Sequence, residues 1–146
     1  MGKLNFLKPI LLLGFLAALV SSQDFKLIQS GYGSKGPHQV KLESITHPTW
    51  PQRKVTLYRP GDVNTKVPVI LFAHGYSGTY HQIYATLLTY LASQGYACLF
   101  APTRPIQTPK QMYQMHDDAF EAGIQAFKEF IDTTRVRSEE HTSELQ

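Results

Sequence analysis

Residues 67–78 read VPVILFAHGYSG. Val69, Ile70, Leu71, Phe72 and Ala73 are apolar without alternation, the pattern of a strand covered on both faces, as the central strand of a parallel sheet must be. The run stops at His74-Gly75-Tyr76-Ser77-Gly78. Paired glycines there permit torsions that a β-carbon forbids and let main-chain N–H groups face a ligand closely. Ligands in α/β sheets meet the carboxyl ends of strands, so this turn is the first candidate for chemistry.

Working outward, Thr79 followed by Gln82 has the spacing of a helix capping box. Ile83, Leu87, Leu88 and Leu91 then repeat at three to four residues as one apolar stripe. Gly95 is placed to end that helix in the left-handed conformation, and Tyr96 to Ala101 follows as a second apolar strand closed by Pro102. Strand, helix and strand with such short links predict a right-handed βαβ unit with parallel strands. Upstream, Gln39 to His47 and Lys54 to Arg59 predict two antiparallel strands. His47-Pro48-Thr49-Trp50-Pro51 joins them, since two prolines exclude regular structure, and Arg59-Pro60-Gly61-Asp62 turns the chain towards Val67. Downstream, Thr108-Pro109-Lys110-Gln111 marks a second helix start with proline at the first helical position. Phe120, Ile124, Phe127 and Ile131 carry the helical period to about Asp132. Thr133 to Val136 should lead into another strand, and no strand pattern follows.

The two ends differ from this middle. Lys3 and Lys8 precede an uncharged run from Pro9 to Val20, with small residues at Val20, Ser21 and Ser22 before Gln23. Residues 1–22 are therefore expected to be a secretory signal peptide; the run falls short of the roughly 20 apolar residues that span a bilayer. Gln23 to Pro37, rich in Gly and Ser, predicts an irregular mature N-terminus. Residues 137–146 read RSEEHTSELQ, without an apolar face. This stretch resembles, codon for codon, the translation of a widely used sequencing-library adapter, so it is set apart from fold reasoning and Glu139, Glu140 and His141 are not read as a metal site. The division expected is signal peptide 1–22, a single folded portion 23–136 and non-native tail 137–146.

Composition narrows the function. The chain of 146 residues carries a formal net charge of +3, and without Lys3 and Lys8 the charge is +1. No basic stripe interleaved with aromatics suggests nucleic acid. Cys98 is the single cysteine, which excludes a disulfide framework or a thiolate metal site; between Ala97 and Leu99 it is expected to be a small buried hydrophobe rather than a reactive thiol. No metal signature is present.

The stretch Val67 to Pro102, with its His-Gly-X turn after a strand and the helix and strand containing YATLLTYLASQGYACLFAP, resembles the α/β-hydrolase superfamily. The similarity lies in the branch of chlorophyllases, platelet-activating-factor acetylhydrolase-like enzymes and cutinase-like polyester hydrolases. The resemblance implies the N-terminal part of an α/β-hydrolase: an antiparallel hairpin leading into a parallel βαβ unit and a further helix, with an incomplete sheet. It implies a secreted serine esterase acting on a small-molecule or lipid-like ester through an acyl-enzyme, with no cofactor, no metal and no stable membrane anchor after signal cleavage. The resemblance assigns Tyr76, after the His-Gly pair, as the backbone N–H donor to the oxyanion, in a turn formed by His74, Gly75, Ser77 and Gly78.

The resemblance places the nucleophile, acid and histidine after Val136, so the chain as written is expected to lack turnover. Gly75-Tyr76-Ser77-Gly78-Thr79 imitates a G-x-S-x-G elbow, but Thr79 stands where the second glycine belongs and the family's elbow follows the next parallel strand. Ser77 is thus the weaker candidate nucleophile. His38, His47, His81 and His116 are expected at the surface, with Asp117 and Asp118 on a solvated helix face. A thiol-nucleophile parent resembling dienelactone hydrolase remains open, as does a non-catalytic secreted binding protein with a hydrolase-like front half. Loss of the strand beyond Val136 would leave Val67 to Ala73 as an open apolar edge.

Overall fold

The computed structural model describes residues 31, 33–75 and 77–140. The expected signal peptide, Tyr76 and residues 141–146 of the tail lie outside the described residues. Strands β1 (Val40–Thr46), β2 (Lys54–Pro60) and β3 (Val67–Ala73) lead through a 3₁₀ turn, His81–Tyr84, into helix α1 (Ala85–Ser93). Strand β4 (Ala97–Ala101), helix α2 (Pro109–Ala126) and strand β5 (Ile131–Glu140) complete the order. One mixed sheet results, ordered β1-β2-β4-β3-β5. β1 and β2 form the expected antiparallel hairpin, β2 runs antiparallel to β4, and β3 is parallel to both β4 and β5.

The unbroken apolar runs exist because each face of the sheet has its own cover. Tyr58, Ile70, Phe72, Cys98 and Phe100 pack beneath Leu88 and Ala92 of α1. Val55, Leu57, Val69 and Leu99 point the other way and pack with Ala119 of α2, Phe127 and Ile131. Cys98 is fully buried, and burial pushes its thiol up to about 12. Such a group is no nucleophile at neutral pH.

Start and stop signals fared differently. Thr108 accepts the Gln111 N–H, the Gln111 side chain answers to the Thr108 N–H, and Pro109 stands in the first turn, a complete capping box. Gly95 ends α1 at φ +100°. The expected capping box at Thr79 and Gln82 does not form: Tyr80 is extended, neither the 3₁₀ turn nor α1 has a side-chain cap, and α1 begins only at Ala85. Tyr84 explains the delay, because its ring must lie against Phe72 and Phe100 at 4.9 and 6.0 Å. The apolar stripe is rotated accordingly, with Leu88 and Ala92 buried but Ile83 and Leu87 exposed.

The largest departure is at the end of the chain. α2 stops at Ala126, and Ile131 belongs to β5 rather than to the helix. A strand stands where none was expected: Val136 to Glu140 pair with Val69 to Ala73, so four residues of the segment expected to be a non-native tail, Arg137 to Glu140, lie beside β3. β3 is therefore not an edge. Main-chain groups of β3 demand partners whatever side chains the neighbour carries. The register shifts between Pro68 and Val69, opposite Thr133 to Arg135, where proline supplies no N–H to the ladder.

Candidate active site

The turn after β3 is held from two sides. His74 is 9% exposed. Its Nδ1 donates to the Gly75 carbonyl at 2.8 Å, while Nε2 accepts the Thr103 N–H at 2.8 Å and lies 3.1 Å from the Thr103 hydroxyl. These partners define a neutral ring with its proton on Nδ1. On the other side, the Gly75 N–H donates to the Tyr84 hydroxyl at 3.2 Å. The Gly78 N–H returns to the Gly75 carbonyl at 3.0 Å, closing a turn whose third residue, Ser77, has φ +61°. A β-carbon on Gly78 would collide with the Tyr84 hydroxyl. Glycine is required there by close approach.

A second layer braces the chain leaving β4. Three buried imidazoles from three elements meet three consecutive residues. His116 of α2 faces the Ala101 carbonyl, His47 at the end of β1 faces the Pro102 carbonyl, and His74 binds Thr103. His47 Nδ1 also accepts the Thr49 and Trp50 N–H groups, each at 3.2 Å. The His74 ring stacks on Phe100 at 5.7 Å and meets His116 edge-on at 5.6 Å. Burial is the main cause that lowers all three pKa values, and for His116, at about 4, the neighbouring His74 adds to it. The Nε2 atoms of His47 and His116 are buried without a well-formed hydrogen bond.

His47 and His116 are therefore not surface residues: they are 1% and 8% exposed. A signal for His116 was present in the sequence, since it falls on the helical face shared with Ala119, Phe120 and Gly123. His47 carried no such signal. His38 pairs with Asp62 at 3.2 Å, and His81 Nδ1 lies 2.6 Å from the Tyr58 hydroxyl. Asp117 is exposed and Asp118 accepts from Gln114 at 2.9 Å. Among the described residues no group of three or more His, Cys, Asp and Glu could hold a metal ion.

His74, Gly75, Ser77 and Gly78 thus share one turn at the carboxyl end of β3, and Ser77 is exposed. Tyr76, the expected oxyanion donor, lies outside the described residues. A hydrogen-bonded turn at this strand end, a helix on each face of the sheet and parallel strands beside β3 define the front of an α/β-hydrolase. The sequence model of the chlorophyllase family matches residues 28–127, and the chain belongs to that family. No curated protein matches it. Among solved structures, esterase B from Lactobacillus rhamnosis, described as inhibited by a C4-C4 SN3 tributyrin phosphonate, superposes with a TM-score of 0.61 at 22% identity. The match covers 73% of this chain and 37% of the esterase, so the chain spans less than half the length of that enzyme. At this identity the likeness is one of fold.

Proposed function

We propose that the chain is the front of a secreted carboxylic-ester hydrolase of the serine type that acts on a small-molecule or lipid-like ester. The observation that carries the reading is the doubly anchored turn, in a chain of the chlorophyllase family. His74 on Thr103 and Gly75 on Tyr84 hold the backbone just before position 76, and the Gly78 N–H on the Gly75 carbonyl ties down the chain just after it. A fixed N–H at residue 76 would receive the carbonyl oxygen as a serine attacks and its negative charge develops, with no reorganisation at that moment. The nucleophile, acid and histidine would come, in that chain order, from sequence after Val136, as the 37% coverage of the esterase supports. The acyl-enzyme would then be released by water.

The test uses the parent chain, obtained by sequencing its transcript onward from Tyr96, with p-nitrophenyl butyrate as substrate. Tyr76→Pro removes one N–H and is expected to lower kcat by roughly a hundredfold or more, while Tyr76→Ala, which keeps it, stays within a few-fold. Equal activity in all three would refute the oxyanion role. One observation favours a second reading: Ser77 is exposed, lies between strand and helix, and alone among described non-glycine residues has positive φ, as a nucleophile elbow would. An acyl burst from the 146-residue chain that Ser77→Ala abolishes would select it.

A further inference from the structure

Beside the turn stand two guanidinium groups that form no ion pair with a carboxylate among the described residues. The Arg53 guanidinium carbon lies 4.2 Å from the Tyr80 ring centroid and 4.9 Å from that of Trp50. Its Nη2 donates to the Tyr80 hydroxyl at 2.7 Å, and its Nε is buried with no acceptor. The Arg104 guanidinium carbon lies 5.8 Å from the same Trp50 ring, and Nη2 donates to the Thr49 carbonyl at 3.2 Å. Each group therefore uses one of five N–H donors on a neutral oxygen. Arg59 and Arg135, by contrast, have carboxylate partners. Asp118 shares a recess of about 220 Å³ with Arg104 but is held by Gln114 and forms no ion pair with it.

Both arginines are tied to the candidate active site. Tyr80 follows Ser77 by three residues, and Thr103, which binds His74, immediately precedes Arg104. Arg53 is half-buried with its Nε unpartnered, and the desolvation of that guanidinium is a cost an anion would offset; Arg104 is exposed and free to join it. Guanidinium forks match carboxylate and phosphate oxygens in geometry, and the indole and phenol faces accept an apolar body.

We propose that Trp50, Arg53, Tyr80 and Arg104 form a binding subsite for an anionic group, carboxylate or phosphate, carried on an aromatic or apolar body. Its part in selecting anionic esters rests on the hydrolase reading; its binding of anions does not. Trp50 is the single tryptophan of the chain and reports occupancy directly. The 146-residue protein is titrated, in phosphate-free buffer, with phenyl phosphate, benzoate and benzyl alcohol while Trp50 emission is followed. Saturable changes with at least one anion at about tenfold or lower concentration than with benzyl alcohol are expected, and Arg53→Gln and Arg104→Gln each weaken that anion about tenfold or more. Arg135→Gln, distant in sequence and paired with Asp132, leaves it unchanged. Tighter phenyl phosphate assigns a phosphate ligand, and tighter benzoate a carboxylate. Equal binding of benzyl alcohol, or an Arg104→Gln protein that binds as before, overturns the proposal. Should Arg53→Gln fail to fold by circular dichroism, exposed Arg104 decides alone. No turnover enters the measurement, so its failure is distinct from failure of the hydrolase assignment.

Discussion

His116 shows how a single side chain ties the core to pH. Burial first, and His74 second, hold it down to about 4, from an ordinary value near 6.5. A group whose folded pKa is depressed contributes stability that is complete above the unfolded pKa and is lost as pH falls towards the folded one. The window is therefore from about 6.5 down to about 4, and His47 and His74 shift in the same direction. Protonation has a structural meaning as well: His74 Nε2 and His47 Nδ1 act as acceptors for backbone N–H groups, and a proton on either nitrogen ends that role. The charges acting on the cluster are Arg104 and Asp118 towards His47, and Asp117 towards His116. Thermal melts at pH 7.5, 5.5 and 4.5 are expected to show a falling Tm. His116→Phe, which preserves the stack on Phe120 and removes one titrating ring, should flatten the fall; an unchanged slope would remove His116 from the account.

Helix termini separate what the sequence could disclose from what it could not. Thr108 makes a cap because the chain before α2 is extended and free, Thr108 having ψ 153°. Thr108→Ala is expected to cost about 1 kcal/mol, read as a lower urea midpoint with an unchanged m-value. The corresponding Thr79→Ala should show no cap loss, since Thr79 is only 7% exposed and its hydroxyl makes no cap to the 3₁₀ turn. Both segments have the same local pattern, and they differ because Tyr84 is committed to the turn through Gly75 and to Phe72 and Phe100. That commitment is tertiary. The same distinction explains Ile83 and Leu87, which fit the helical period yet face outward, whereas β3, β4 and Gly95 were legible from their own residues. The turn at His74 to Gly78 was legible as a turn, but its anchors were not: Thr103 and Tyr84 lie 29 and 9 residues from their partners.

At the scale of the whole molecule, the outer strand of the sheet is the part whose side chains explain it least. Side chains from Thr133 to Ser138 are exposed, so β5 contributes little apolar burial beyond Ile131 while supplying the parallel ladder along Val69 to Ala73. Sequence pattern misses such a strand, because periodicity reports a buried face and this one has none. Its exposed Arg135 and Arg137 suit an edge position, since charge on an outer strand discourages pairing with another chain. Removing it would transfer the edge to β3, whose Val69, Ile70 and Phe72 are buried and uncharged. A chain ending at Asp132 is therefore expected to self-associate at micromolar concentration, eluting early in size exclusion and binding ANS, while the 146-residue chain does so far less. Ile131 remains in the shortened chain, so the core beneath α2 keeps its contact and the comparison isolates the ladder. If the shortened protein is a monomer with an unchanged Tm, the pairing of β5 with β3 does not protect the sheet, and the protection must come from the covering helices.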